Sequence, residues 1–135
     1  MAAEKLLTPS PGEIAFGADL IAGRLDELAR QISGDYRGRG RELVLLTVLK
    51  GSAVFLADLS RRLSVPHRLE FMAISAYRGA ESVEVCTLLD RPYRRLIEIA
   101  PRYVGFTAPD AFVVGYGFDY RQRFRNLPDI HLLAR

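Results

Sequence analysis

Between Ala18 and Ser33, apolar Leu20, Ile21, Leu25, Leu28 and Ile32 recur at three- and four-residue steps, and this period predicts an amphipathic helix. Gly34-Asp35 follows as its stop signal. From Glu42 to Leu49 the pattern changes to a continuous apolar run, which suits a strand covered on both faces in a parallel sheet. Lys50-Gly51-Ser52 interrupts that run, and Ala53 to Leu63 returns to a helical pattern with Val54, Phe55, Leu56 and Leu59 inward. Strand, glycine turn and helix together open a βα unit.

Further strands are predicted over Arg68 to Ala73, Ser82 to Leu89, Leu96 to Ile99, Phe112 to Tyr116 and, at an edge, Asp129 to Leu133. Residues 1–15, with their prolines, read as a loose N-terminal arm of a single domain spanning residues 1–135. The fold class is therefore α/β, a mainly parallel sheet flanked by helices. One spacing departs from it. About eight residues join the strands at Arg68 and Ser82, fewer than the ~12 that a parallel crossover needs. Either the two form an antiparallel hairpin through Tyr77-Arg78-Gly79-Ala80, or the fold has lost something between them.

Composition narrows the class without naming it. The chain is 49% hydrophobic and 26% charged, which excludes disorder, and no stretch approaches the ~18 apolar residues of a membrane span. Cys86 is the only cysteine, so no internal disulfide forms and a reducing, cytoplasmic address is expected; in its apolar run it reads as a small buried hydrophobe. The net charge is +3 and arginine supplies nearly all of the positive charge. Its planar fork suits phosphate and carboxylate, which favours a phosphorylated ligand, although Gly38-Arg39-Gly40-Arg41 and Arg61-Arg62 read as solvated surface.

Candidate chemistry lies at two places. Lys50 and Gly51 sit at the carboxyl end of the first apolar strand and the start of a helix, where anions meet free N–H groups, or where a plain structural turn would also fit. The tail from Tyr103 to Leu127 offers more. Phe112 beside Val113 presents a flat apolar face and strand backbone to a heterocycle. Asp119, just after Gly115 and Gly117, could hold a hydrated Mg²⁺ through one carboxylate, and Arg125 could clamp a phosphate. Core, turn acid and surface arginine are the plainer readings of Phe112, Asp119 and Arg125.

Four blocks carry a resemblance: VLKGSAVFLADLSRRL (Val48–Leu63), LEFMAISAY (Leu69–Tyr77), CTLLDRPYRR (Cys86–Arg95) and YVGFTAPDAFVVGYGFDYRQRFRNLP (Tyr103–Pro128). In this order they resemble the hypoxanthine-guanine phosphoribosyltransferases, from about Phe16 to Leu133. The resemblance implies a type I phosphoribosyltransferase fold. It also implies purine salvage: transfer of phosphoribose from phosphoribosyl diphosphate to hypoxanthine or guanine with Mg²⁺, in the cytoplasm, with homo-oligomers and with neither nucleic acid nor membrane as partner. Carried over by position, Lys50 and Gly51 form the pyrophosphate loop, where the family commonly has a cis peptide. Arg91 stands where a lysine usually bonds the purine 6-oxo group. Phe112 stacks on the purine, Val113 meets the ring edge through its backbone, Asp119 faces the metal and Arg125 binds pyrophosphate oxygens.

Two departures stand beside the match. Ala76-Tyr77 replaces the Ser-Tyr pair that opens the family's lid. Between Ala80 and Glu81 the family carries the rest of that lid, a strand, an acidic signature of the Glu-Asp-Ile-Val-Asp-Thr-Gly type and a helix, and no such acidic run followed by Thr-Gly occurs here. The resemblance gives that signature the 5′-phosphate, the ribose hydroxyls and the base at purine N7, and neither His67 nor His131 lies in a matched block to replace it. The expectation is a homologue truncated in its fold, with transfer weak or lost and no catalytic residue retained. The alternative is a non-enzymatic protein that binds a purine nucleotide or a further subunit through its exposed sheet. Loss of a central strand should leave apolar faces and sheet edges exposed.

Overall fold

A computed structural model describes residues 9–72, 82–94, 96 and 99–134. Strand β1 (Ser10–Phe16) leads into helix α1 (Ala18–Tyr36), followed by β2 (Leu43–Val48), α2 (Ala53–Ser60) and β3 (His67–Met72). After β4 (Cys86–Asp90) come a single 3₁₀ turn (Pro92–Arg94), β5 (Tyr103–Thr107), β6 (Val113–Val114) and β7 (Ile130–Ala134). Residues 10–15 were expected to belong to the loose arm, yet they lie in β1. That strand pairs antiparallel with β7, because the far end of the chain supplies the ladder partner that local sequence does not show.

Among the described residues the strands form three sheets. β2 and β3 pair in parallel, β4 and β5 pair in parallel, and β1-β7-β6 make a small antiparallel sheet. Of the two readings of the short β3–β4 spacing, the antiparallel hairpin is absent among the described residues: β3 pairs with β2 and β4 with β5. Of the strand expected at Leu96–Ile99, residues 97 and 98 lie outside the described residues; neither Leu96 nor Ile99 is in a strand, and Leu96 is fully exposed. The strand in this part of the chain is β5, whose Gly105 lets β4 approach closely. A Cβ there would stand 2.5 Å from the Leu88 carbonyl oxygen.

Helix α1 joins these layers. Ile21 and Leu25 meet Leu88, Val113, Tyr116 and Ile130 in one core cluster, while Leu28, Ala29 and Ile32 meet Leu59 and Tyr103 in a second. Leu43 of β2 and Cys86 of β4 both pack on the second cluster, so the two parallel pairs lie against the same helix without pairing with each other. The N-cap residue of α1 is Gly17, which has no side chain. Asp129, ahead of β7, supplies the missing acceptor by taking the Ala18 N–H at 2.7 Å.

Burial follows period in α1 and departs from it in β2. Leu20, expected inward, is more than half exposed, whereas Ile21, Leu25, Leu28 and Ile32 are buried. In the β2–β3 sheet Leu46, Val48, Leu69 and Phe71 are exposed while Leu43, Val44 and Leu45 are half-buried, so the run read as covered on both faces is only partly covered. Exposed apolar surface on the sheet was expected from the sequence, and these four residues provide it.

Candidate active site

A cavity of about 450 Å³ opens between the β2–α2 turn, the length of β4 and the tail, a size typical of ligand sites. It is lined by Gly51, Ser52 and Phe55 from the β2–α2 turn, Cys86 to Leu89 and Arg91 from β4 and its end, and Phe112, Val113, Phe118 and Asp119 from the tail. Of the residues singled out from sequence, Gly51, Arg91, Phe112, Val113 and Asp119 thus meet at one cavity. Lys50 is next to its wall, and Arg125 is tied to it through Asp119.

The β2–α2 turn carries a cis peptide at Leu49–Lys50. Ser52 does not cap α2 with its side chain. Its hydroxyl donates to the Val48 carbonyl at 2.7 Å and meets the Thr47 hydroxyl at 2.5 Å, turning away from the helix start. Opposite, Phe112 is half exposed and touches Tyr120 edge-on with ring centroids 6.0 Å apart, which leaves apolar ring surface open. Val113 is buried in the β6–β7 ladder.

The segment before Phe112 is held from β4. Arg91 donates to the Ala111 carbonyl at 2.8 Å, Tyr93 to the Ala108 carbonyl at 2.7 Å, and Arg94 to Asp110 at 2.9 Å. Arg91 therefore spends one arm of its fork on the backbone beside Phe112. Asp119 accepts the Gln122 N–H at 2.8 Å and pairs with Arg125 at 3.3 Å; Arg125 also donates to the Gly117 carbonyl at 2.7 Å.

Among the described residues no three potential ligands converge on a point that could hold a metal ion. Mg²⁺ commonly binds through one or two carboxylates plus waters and substrate phosphates. The single carboxylate of Asp119, at the cavity wall, fits that mode and no all-protein cage.

Sequence gave no hint of the cavity role of Phe118 or Cys86. Burial pushes the Cys86 thiol up to about 11, against a smaller opposing effect of the Arg24 charge. The neutral thiol is the stable form at neutral pH. Iodoacetamide at pH 8 should label Cys86 on the order of a hundredfold more slowly than a free cysteine, with the rate climbing as pH approaches that value. Mass spectrometry of timed samples measures this, and labelling at the free-thiol rate would refute the burial. The Ala76-Tyr77 position and the junction at Ala80 lie outside the described residues.

No protein-family profile matches the chain. Individual relatives do. Hypoxanthine phosphoribosyltransferase of Salmonella typhimurium is 36% identical, with 80% of this chain and 87% of the relative covered. Hypoxanthine-guanine phosphoribosyltransferase of Mycobacterium tuberculosis is 33% identical over 91% of this chain and 88% of its own. The Salmonella alignment runs over 155 positions against a chain of 135 residues, so that relative carries residues with no counterpart here. Among solved structures, the hypoxanthine phosphoribosyltransferase of Trypanosoma cruzi in complex with IMP superposes with a TM-score of 0.83 at 32% identity, covering 91% of this chain and 90% of that one. A hypoxanthine-guanine phosphoribosyltransferase from Bacillus anthracis gives 0.82 at 28% identity, covering 95% and 100%.

Proposed function

The chain belongs to the hypoxanthine-guanine phosphoribosyltransferase family of purine-salvage transferases and has their type I fold, and from that premise we propose that it binds a 6-oxopurine and a diphosphate group but transfers phosphoribose weakly or not at all. The observation that carries this reading is the convergence of Gly51, Arg91, Phe112, Val113 and Asp119 on one cavity from stretches far apart in sequence.

In this reading the open face of Phe112 stacks on hypoxanthine or guanine, Val113 offers backbone to the ring edge, and the arm of Arg91 not engaged with Ala111 donates to the 6-oxo oxygen. Lys50 and Gly51 face the diphosphate of phosphoribosyl diphosphate, with Arg125 on its other side. Asp119 would hold Mg²⁺, which when bound offsets the diphosphate charge. A cytoplasmic address and a homo-oligomer belong to the same reading.

Calorimetric titration with guanosine monophosphate tests it. Binding is expected in the micromolar to millimolar range, and no heat at millimolar ligand would overturn the purine site. Phe112→Ala should weaken binding about tenfold, the value of one base–aromatic stack of about 1–3 kcal/mol. Unchanged affinity would mean the purine lies elsewhere.

A further inference from the structure

The tail segment from Gly115 to Arg125 has an unusual backbone. Gly115, Tyr116 and Gly117 follow one another at φ 95, 50 and 92, and Arg121, Gln122 and Phe124 are also left-handed. Positive φ at Tyr116, a bulky residue, costs energy unless its surroundings hold it there. Two things do. The ring is buried in the first core cluster, and its hydroxyl donates to Asp58 of α2 at 2.5 Å.

Asp58 is not a generic acceptor. It sits in the helix that begins at the Lys50–Gly51 turn, and it is itself fixed by an ion pair with Arg61. Partial burial pushes its carboxyl up, but the Tyr116 hydroxyl and the charges of Arg61 and Arg62 together hold it below the usual carboxylate range. Burial, and then the same contact, push the Tyr116 phenol up, so the phenol stays protonated and donating. One residue later the tail touches the turn directly: a Cβ on Gly117 would stand 2.7 Å from the Gly51 carbonyl oxygen.

From Tyr116 the connections run outward. The Gly117 N–H donates to the Arg125 carbonyl at 2.9 Å, the Arg125 guanidinium returns to the Gly117 carbonyl, and Arg125 pairs with Asp119. We propose that Tyr116 is a positioning residue: its bond to Asp58 seats the Gly115–Arg125 segment on α2, and so sets Asp119 and Arg125 against the Lys50–Gly51 turn as two sides of one diphosphate site. This rests on the function proposed above. A purely structural role would instead stabilise the fold without favouring one ligand over another.

The test uses the full chain with Tyr116→Phe, Asp58→Asn, Asp58→Ala and the double variant Tyr116→Phe/Asp58→Ala. The probes are Mg²⁺ with inorganic pyrophosphate, and hypoxanthine alone, both by calorimetry, alongside hydrogen exchange at the Gly117 amide. Tyr116→Phe should weaken pyrophosphate binding roughly tenfold, the loss expected for one hydrogen bond to a charged group, while changing hypoxanthine binding less than about twofold. Asp58→Asn keeps an acceptor oxygen and should retain most of the affinity. The double variant should bind no worse than the weaker single, as coupled partners do. Equal weakening of both ligands, or unchanged pyrophosphate binding, would overturn the proposal. Should the unaltered protein bind no pyrophosphate, the diphosphate function fails, and the anchor is judged on exchange alone: faster exchange at Gly117 in Tyr116→Phe sustains it, and unchanged exchange removes it.

Discussion

Given Mg²⁺, phosphoribosyl diphosphate and hypoxanthine, the protein is expected to form nucleotide on the order of 10³- to 10⁵-fold more slowly than the Salmonella relative assayed beside it. Displacement at the anomeric carbon needs the purine nitrogen, the sugar and the leaving diphosphate in line. Holding such partners together contributes about 7–11 kcal/mol in favourable cases. In the proposed site the base and the diphosphate have partners, but the sugar phosphate between them has none that the matched blocks supply. Losing half or more of the positioning gives the stated range. The expected pattern is thus near-ordinary purine binding with little turnover, because the missing contacts act on alignment more than on the base. Absorbance at the wavelength where hypoxanthine and its nucleotide differ follows the reaction. A rate within tenfold of the relative's would sink the expectation, and would mean that residues outside the matched blocks, or a second subunit, cradle the ribose phosphate.

The sequence was most legible where one period governs a whole element. In α1 the three- and four-residue steps located the helix and four of its five apolar positions as buried, and Leu20 is exposed because, one residue before Ile21, it lies about 100° round the helix from it and off the buried stripe. The β2–turn–α2 unit was equally plain, since a run of apolar residues, a glycine and a new period follow in order. Tertiary pairing was not. β1 is a strand because β7 lies beside it, and nothing near Ser10 announces a partner at the other end of the chain. β5 was hidden because Gly105 reads as an interruption, whereas the close approach of the Leu88 carbonyl requires it. Leu96 and Ile99, read from composition as strand ends, lie outside any strand. For the site, spacing marked the turn at Lys50 and the tail at Phe112, but only the fold shows that Arg91 is partly occupied by Ala111 and that Arg125 is tied to Asp119.

Opposite effects of one substitution at two glycines should separate the long-range architecture from local helix propensity. Gly115→Ala is expected to destabilise by roughly 3 kcal/mol or more and lower the melting temperature by about 10 °C or more. Gly115 has φ 95, a conformation that a side chain strains, and an added Cβ would stand 2.0 Å from the Asp129 carbonyl oxygen. That carbonyl belongs to backbone and cannot rotate away. Moving it also moves the residue whose carboxylate caps α1 at Ala18, so the cost spreads to the helix that joins all three sheets. Gly23 lies inside α1 with nothing within 4 Å of an added Cβ. There, Ala should stabilise by about 0.5–1 kcal/mol, because alanine loses less backbone freedom in a helix than glycine does. Circular dichroism melts of the two variants check both signs. If Gly115→Ala melts within about 3 °C of the unaltered protein, the junction between the tail and Asp129 is looser than its contacts imply, and the anchoring of Tyr116 beside it would lose its rigid support.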